Sequence, residues 1–354
     1  MKEKILSISF VTIIFSLLLM NIFTKDKEIS YSERRKLTSF PELKLTRETF
    51  DTFDNYALDQ FVFRDKFRAL KALIEFNILR KEDNNGYFVK DGAIYKIEYP
   101  LNENKANEFV TKMNKLYNNY LKDMNVYYSI IPDKNYYLDD AHLKMDYDEL
   151  FKIVTDGIQD MKYIDITNAL TLGDYYLTDT HFKQDKIGKV VETLSKEMNF
   201  NYTSNYEIHT YEPFYGVYYG QAALNLKPDV INYLTNEYID GATVYDYDSD
   251  LDSVYETSSL GQMDSYDVFL SGATPFVTID NPKVENKKEL VIFRDSFGST
   301  LAPLLIEGYS KITLIDLRYV SMSMLPSLIT FENQDVLIIY STLVINNSET
   351  IRDY

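Results

Sequence analysis

The sequence predicts an α/β fold built on a doubly wound parallel sheet with helices on both faces. Two runs, residues 101–198 and 289–340, each alternate helix-like and strand-like segments, which is the pattern of a parallel sheet with crossover helices. With 354 residues, of which 45% are hydrophobic, the chain can bury a large core.

The first element is an apolar segment at the N-terminus. Residues 5–23 are almost uninterrupted apolar sequence, preceded by Lys2 and Lys4 and long enough to cross a bilayer. No small-residue cleavage site precedes the charged flank, so an uncleaved signal anchor is favoured over a cleaved signal peptide. Residues 1–29 are therefore assigned to the anchor and the start of a flexible tether, and residues 30–354 to one extracytoplasmic domain.

The direction of insertion follows from two opposing arguments. The basic residues after the anchor outnumber the two lysines before it, which argues against export of the rest of the chain. Large domains, however, cross membranes largely regardless of such charges. We expect a single-pass protein in the cell membrane with its domain outside.

Composition excludes two classes of function. The net charge is −17, so most of the surface would repel a nucleic acid backbone. The chain contains no cysteine, which excludes disulfides, a thiolate nucleophile and cysteine-ligated metals. Its 31 tyrosines fit either sugar-stacking surfaces or, more simply, codon bias.

Between the tether and the sheet, residues 49–80 carry apolar side chains at intervals of three and four, which predicts one or two amphipathic helices. A hairpin is predicted around Asp91-Gly92. The alternating elements then follow: helices at 103–124, 147–161 and 185–198, with strands at 126–131 and 163–166.

The second alternating run begins after a segment of different composition. Residues 201–278 are rich in Tyr, Asp and Gly and are interpreted as β-hairpins and loops, inserted over the sheet edge. Strands follow at 289–293, 311–315 and 335–340, with helices predicted from Ser299 and near residues 322–329.

Ser296 is the best candidate nucleophile. It follows an apolar strand and precedes a helix, and ligands of doubly wound sheets bind beyond the carboxyl ends of the strands. The amides after it, near Phe297, would lie at the start of a helix, where a developing oxyanion finds N–H donors. The alternative is that Asp295-Ser296 only ends a strand and caps a helix.

Asp179 and His181 are the candidate base. The chain has three histidines, and His181 alone follows an aspartate by two positions in a strand-like run, where both side chains point to one side. His142 and His209 fit surface or structural roles better. A zinc site with a distant third ligand stays open, although three scattered histidines make it less favoured.

Three further features fit the edge of such a site. Arg318 follows a strand and either binds a substrate carboxylate or acyl group, or pairs with Asp316. Gly216 and the run from Ser271 to Thr274 are turns that can offer oxyanion donors, although glycine turns usually have no such role.

These segments resemble the DHHW family, whose motif here reads Asp179-Thr-His-Phe182. That family is similar to periplasmic alginate O-acetyltransferases, whose fold is SGNH-hydrolase-like in circularly permuted order. The resemblance runs through most of the chain after the anchor, including Ser32 to Pro41 and Leu58 to Arg64. In this chain Thr180 and Phe182 replace the His and Trp of the motif, and Ser271-Gly-Ala273 stands where relatives show Gly-Gly-Asn.

The resemblance implies an SGNH-like sheet in circularly permuted order. It also implies a triad of Ser296, His181 and Asp179. From the residues themselves we expect oxyanion or substrate contacts from Phe297, Gly216 and Arg318, and no cofactor or metal. The implied activity is O-acetylation of an envelope or secreted polysaccharide, with acetyl groups supplied by a polytopic membrane acyltransferase. A carbohydrate acetylesterase with the same triad and a non-catalytic glycan-binding or assembly protein are the alternatives.

Overall fold

The computed structural model describes residues 2–42, 44–138, 143–246, 250–251 and 253–354. Its helices are α1 (Lys2–Phe23), α2 (Arg47–Asp59), α3 (Arg64–Leu73), α4 (Glu103–Leu116), α5 (Tyr147–Gly157), α6 (Gly188–Met198), α7 (Val217–Ala222), α8 (Glu237–Asp240), α9 (Phe297–Leu301), α10 (Leu325–Leu328) and α11 (Thr342–Ile345). Its strands are β1 (Ile29–Ser30), β2 (Arg35–Lys36), β3 (Tyr87–Lys90), β4 (Ala93–Lys96), β5 (Asn125–Ile131), β6 (Lys162–Tyr163), β7 (Glu207–Phe214), β8 (Asp229–Thr235), β9 (Thr243–Asp246), β10 (Asp250–Leu251), β11 (Phe276–Asp280), β12 (Glu289–Arg294), β13 (Lys311–Ile315) and β14 (Asp335–Ser341).

The chain divides into two compact units. The first contains residues 1–88 and 217–227, and the second contains residues 89–216 and 228–354. The predicted boundary between residues 29 and 30 stays a prediction.

In the first unit, α1 is a 22-residue helix with a mean hydropathy of 2.4 over its most apolar window. Its length and composition are compatible with a single-pass membrane anchor. Residues 25–36 were predicted to form a flexible tether. In the structure, part of this segment is ordered, because β1 and β2 pair as an antiparallel hairpin. The carboxylate of Asp59 holds this hairpin by accepting hydrogen bonds from Arg35 Nη1 at 2.9 Å and from the Thr38 N–H at 2.9 Å.

The second unit is built on an eight-stranded sheet of order β10-β9-β11-β13-β12-β14-β5-β6. Strands β13, β12, β14, β5 and β6 run parallel to one another. Strands β11, β9 and β10 extend the sheet in antiparallel fashion at one edge. The predicted α/β class with a mostly parallel sheet is thus confirmed.

Both faces of this sheet are covered, as the alternation of helices and strands predicted. In β12, Leu290 and Ile292 pack into one core cluster, and Val291 and Phe293 pack into a second. This division follows from the alternation of side chains along a strand. Helix α6 and the start of α9 contribute to the first cluster, whereas α4 and α5 contribute to the second.

The segment 201–278 is β-rich, as predicted, but its strands belong to two different sheets. Strands β7 and β8 form a separate two-stranded antiparallel sheet. Strands β9 and β10 instead join the central sheet at its edge. Whether the segment is an insertion, and whether the order of elements is circularly permuted, stay predictions.

The parallel strands place four loops at one edge of the sheet. These loops follow β5, β12, β13 and β14 and begin with Pro132, Asp295, Asp316 and Thr342. Carboxyl ends of parallel strands meet at the same edge, and ligands of such sheets bind there.

Candidate active site

Ser296 lies at the junction of β12 and α9, as the sequence predicted. The strand ends at Arg294, and Ser296 precedes the first residue of the helix, Phe297. Asp295 supports this turn, because its carboxylate accepts the Phe297 N–H at 3.0 Å and the Ser341 N–H of the neighbouring strand at 2.8 Å. The turn leaves Ser296 half-buried, whereas Asp295 is buried.

Asp179 and His181 lie in a tight loop and not in the extended run that was expected. Tyr175 and Phe182 form an isolated bridge, and the Tyr176 N–H donates to the His181 carbonyl at 3.1 Å. Within this loop Asp179 Oδ1 accepts hydrogen bonds from both the backbone N–H of His181 at 3.1 Å and its Nδ1 at 2.6 Å. The two side chains therefore meet through a local turn, since a short aspartate side chain readily bonds the backbone two residues on.

The same histidine reaches Ser296. Its Nε2 lies 2.7 Å from Ser296 Oγ, although the two residues are 115 positions apart. Because Nδ1 faces a carboxylate, the proton belongs on Nδ1 and Nε2 is the acceptor for the serine hydroxyl. Asp179 is 0% exposed and His181 is 9% exposed, so water competes little for these bonds. This is the geometry of a serine nucleophile with a general base and an orienting acid.

The His181 ring contacts two aromatic side chains, of which Tyr266 was not predicted from the sequence. The Tyr266 ring stacks on it with centroids 3.9 Å apart and an interplanar angle of 11°. The Phe297 ring lies 4.9 Å away in a tilted arrangement. The Tyr266 hydroxyl in turn forms a hydrogen bond with Thr300 Oγ1 in α9, so the stack is tied to the helix that follows the serine.

A buried lysine was also missed. Lys134, in the loop after β5, is 2% exposed, and its Nζ donates to the carbonyls of Tyr176, Leu177 and Asp179 at 3.2, 3.3 and 2.9 Å. Burial lowers the pKa of Lys134 to about 7, against the opposing effect of nearby carboxylates, first among them Asp179. This ammonium thus braces the loop that carries the candidate base.

A second carboxylate shapes the same loop from the side of β8. Asp229 accepts hydrogen bonds from the Leu177 N–H at 2.8 Å and from the Thr178 N–H and hydroxyl at 2.7 and 2.6 Å. Thr178 Oγ1 then accepts the Gly216 N–H at 2.8 Å. A Cβ at Gly216 would overlap Asp179 and the Thr178 carbonyl, so only glycine permits this close approach.

The two predicted oxyanion donors are therefore already engaged. The Phe297 N–H donates to Asp295 and the Gly216 N–H donates to Thr178. Each would have to exchange its acceptor to bind an oxyanion. Their roles as oxyanion donors stay predictions.

Arg318 forms the ion pair that was one of its two predicted roles. Its Nε and Nη2 donate to Asp316 at 2.9 and 2.6 Å, and its backbone N–H also donates to that carboxylate at 3.0 Å. Although burial opposes it, this pairing raises the pKa of Arg318. Asp316 also lies 3.7 Å from the fully buried Arg294, the last residue of β12. Contact of Arg318 with substrate stays a prediction.

Of the other two histidines, His209 lies in the part of the chain that the structure describes and His142 does not. His209, in β7, pairs with Thr235 Oγ1 at 2.9 Å and stacks on Tyr233, which is the structural role predicted. His142 lies outside the described residues. Among the residues that the structure describes, no group of three or more His, Cys, Asp or Glu is arranged to hold a metal ion.

No family model and no curated protein sequence matches this chain. Several solved structures do resemble it. A DHHW family protein from Eubacterium siraeum superposes with a TM-score of 0.64 and 20% sequence identity, covering 76% of this chain and 95% of that one. Bacillus cereus PatB1, in a structure with a sulfonyl adduct, superposes with a TM-score of 0.58 and 17% identity. That match covers 73% of this chain and 95% of PatB1.

The O-acetyltransferase domain of Pseudomonas putida AlgJ is a more distant match, with a TM-score of 0.45 and 11% identity over 74% of this chain and 92% of that domain. A likeness at that level supports no inference. The two better matches each span nearly the whole of the other chain. At identities of 20% and below they establish a shared architecture, so the chain has the fold of a DHHW family protein, as its motifs predicted.

Proposed function

We propose that this protein is a membrane-anchored serine acyltransferase that moves acetyl groups onto hydroxyls of an extracellular or cell-envelope polysaccharide. The main support for the proposal is the chain of hydrogen bonds that links Asp179, His181 and Ser296. The bond between Asp179 Oδ1 and His181 Nδ1 is 2.6 Å long, and the bond between His181 Nε2 and Ser296 Oγ is 2.7 Å long. An activated serine needs this arrangement, whereas a purely structural serine at a strand end does not.

In the first half of the reaction, His181 Nε2 takes the proton of the Ser296 hydroxyl while Oγ attacks the carbonyl carbon of an acetyl ester. The tetrahedral oxyanion collapses, and the leaving alcohol receives the proton from His181. Asp179 stabilises the imidazolium that exists between these two proton transfers. The product of this half is acetyl-Ser296.

In the second half, a sugar hydroxyl replaces the departed alcohol. His181 takes its proton, the sugar oxygen attacks the acetyl-serine, and Ser296 Oγ leaves and regains a proton from His181. The sugar ester is released and the enzyme returns to its starting state. Water in place of the sugar would make the same site an acetylesterase.

The oxyanion is proposed to be held by the amides of Phe297 and Gly216 once the ester displaces their present acceptors. Arg318 is proposed to face the substrate with Nη1, since its Nε and Nη2 are bound to Asp316. A guanidinium fixed in this way can meet a carboxylate or acyl oxygen without losing its ion pair.

The proposed location is supported by the length and composition of α1, and the proposed partners rest on the resemblance. The helix would anchor the chain in the membrane, where a polytopic membrane acyltransferase would supply acetyl groups. The acceptor would be a polysaccharide and not a nucleic acid, consistent with the net charge of −17.

A direct test uses the full chain in detergent micelles with an activated acetyl ester, followed by peptide mass spectrometry. We expect one acetyl group on Ser296, lost in Ser296→Ala and retained in Ser299→Ala. Ser299 is a matched control because it lies three residues on and is buried, with its hydroxyl bonded to the Gly272 carbonyl. An unmodified wild-type protein would overturn the proposal.

A sulfonyl fluoride supplies an independent probe of the same serine. PatB1 is recorded with a sulfonyl adduct, and sulfonyl fluorides modify activated nucleophiles. The wild-type chain should form the adduct at Ser296. Adding candidate glycans to the acetylated protein then separates the activities: acetyl-sugar indicates a transferase, and acetate alone indicates an esterase.

A further inference from the structure

The first compact unit exposes a row of apolar side chains beside a partly buried group of charges. Asp59 is buried in α2, with Arg35 bound to its carboxylate, and Arg64 of α3 pairs with Glu33. By contrast, Phe63 just before α3, Phe67 and Leu70 within it, and Ile74 and Ile78 in the helical turn after it are each between 37% and 71% exposed. A folded unit in water usually buries large apolar side chains and exposes charged ones.

Three of these side chains form one stripe. Phe67, Leu70 and Ile74 are spaced by three and four residues, which places them on a single face of the helix. Ile78 follows one turn further on, in the wider turn of residues 74–78. Because an α-helix turns by about 100° per residue, Lys66 and Lys71 lie on the two opposite margins of this stripe. Both side chains are exposed. Lysines at the border of an apolar face are typical of helices that lie in the plane of a membrane surface, because the stem stays in the apolar layer and the ammonium reaches water.

The stripe is anchored to the membrane-spanning helix by hydrogen bonds within the same unit. The Val62 N–H, at the start of α3, donates to Asn21 Oδ1 in α1 at 2.6 Å. Gln60 and the backbone of Lys27 exchange two further bonds, each of 2.9 Å. Asn21 is two residues from the end of α1, and a helix of 22 residues is about as long as a bilayer core is thick. The start of α3 is therefore held at the depth where α1 leaves the hydrocarbon.

We propose that the stripe on α3 rests in the headgroup layer of a lipid bilayer, so that the chain is held by a spanning helix and by a second helix lying in the membrane plane. This surface is independent of the acyl-transfer chemistry and depends on α1 spanning a membrane. Lipid is the favoured occupant because the stripe is continuous with α1. Charge agrees: residues 24–88 carry 13 basic and 12 acidic side chains, whereas the whole chain has a net charge of −17 and would be repelled by anionic lipids.

The absence of native cysteine allows a clean test with single spin labels. The full chain, reconstituted in vesicles of phosphatidylcholine and phosphatidylglycerol, would carry one nitroxide at Leu70→Cys or Ile74→Cys. Asn333→Cys, an exposed position of the second unit, serves as the aqueous reference. We expect the labels at Leu70 and Ile74 to collide several-fold more often with oxygen than with a water-soluble nickel chelate, and the label at Asn333 to show the opposite preference.

Two results would overturn the proposal. One is nickel accessibility at Leu70 and Ile74 equal to that at Asn333 in the vesicles. The other is protection of these labels in native membranes but not in vesicles, which would indicate a protein partner in place of lipid. Unchanged circular dichroism of each labelled chain ensures that the labels report on the folded protein.

Discussion

The Nζ of Lys134 lies 2.9 Å from the backbone carbonyl of Asp179, the residue that orients the candidate base. This lysine comes from the loop after β5, whereas Asp179 belongs to a loop 45 residues later in the chain. A buried lysine thus fixes the backbone of a buried aspartate that comes from a different element.

Stability should depend on pH through Lys134. Because its pKa falls from near 10.5 to about 7 on folding, the unfolded chain binds an extra proton between these values. The unfolding free energy of the wild type minus that of Lys134→Met should therefore increase as the pH is raised from about 7 toward 10.5. The increase should be at most about 1.4 kcal/mol per pH unit. Denaturant titrations at pH 6, 8 and 10 measure this difference, and a difference that falls with pH would contradict it.

Removing Lys134 should also slow acylation of Ser296. Lys134→Met leaves the three carbonyls of the loop without this donor, so we expect Asp179 to shift and the acylation rate to fall at least tenfold. Lys112→Met is the matched control, since Lys112 is also buried and bonds two carbonyls, those of Ser348 and Ile351. It should lose stability but retain the acylation rate.

Gly216 should not tolerate a methyl group. In Gly216→Ala the new Cβ would overlap Asp179, so we expect loss of the His181 contact and a large drop in acylation. Gly173→Ala should behave like the wild type, because a Cβ there meets nothing closer than 3.7 Å. Equal acylation rates in the two variants would show that the loop can relax away from residue 216.

Asp179→Asn tests the tautomer of His181. An amide can donate to Nδ1 and so place the histidine proton on Nε2, where it cannot accept from Ser296. We expect acylation to fall about 10³–10⁴-fold while the fold is retained. Asp165→Asn is a suitable control, since Asp165 is exposed and accepts hydrogen bonds from the N–H and hydroxyl of Thr167. Acylation within tenfold of the wild type would argue that Asp179 is structural.

Two variants of Tyr266 separate ring stacking from hydrogen bonding. Tyr266→Phe keeps the ring on His181 and loses the bond to Thr300, whereas Tyr266→Leu loses the stack. We expect Tyr266→Leu to be about two- to tenfold slower than Tyr266→Phe, in line with the usual strength of aromatic pairs of 0.5–1.5 kcal/mol. Steady-state rates with an activated ester provide the comparison. Equal rates in the two variants would show that the stacking of Tyr266 on His181 does not contribute to catalysis.

Local patterns predicted much of this fold and the three residues of the line from Asp179 to Ser296. Strands β12, β13 and β14 were predicted within one residue at each end, because continuous apolar runs between turns mark buried strands. Strand β6 covers two residues, 162–163, where a strand over 163–166 was predicted, although the Ile164 N–H still donates to the Tyr128 carbonyl of β5 at 2.9 Å. The helix predicted over 103–124 ends at Leu116 and continues as a wider turn over residues 117–121.

The supports of the site could not be predicted in the same way. Tyr266 and Lys134 act on the loop around His181 from positions far along the chain, and neither carries a local motif. The exposure of the apolar face of α3 also escaped prediction, because spacing identifies an apolar face without showing whether that face is buried.

The order of the strands along the chain has a consequence for how the protein matures. In the centre of the sheet, β14 lies between β12 and β5, yet it comes from the last 20 residues of the sequence. Until β14 has been synthesised, β5 and β12 expose unpaired edges, and the Ser341 N–H that supports Asp295 is missing. The serine turn can therefore be completed only once residue 341 is available, and chains cut short before residue 341 should lose acylation of Ser296 and be prone to aggregate.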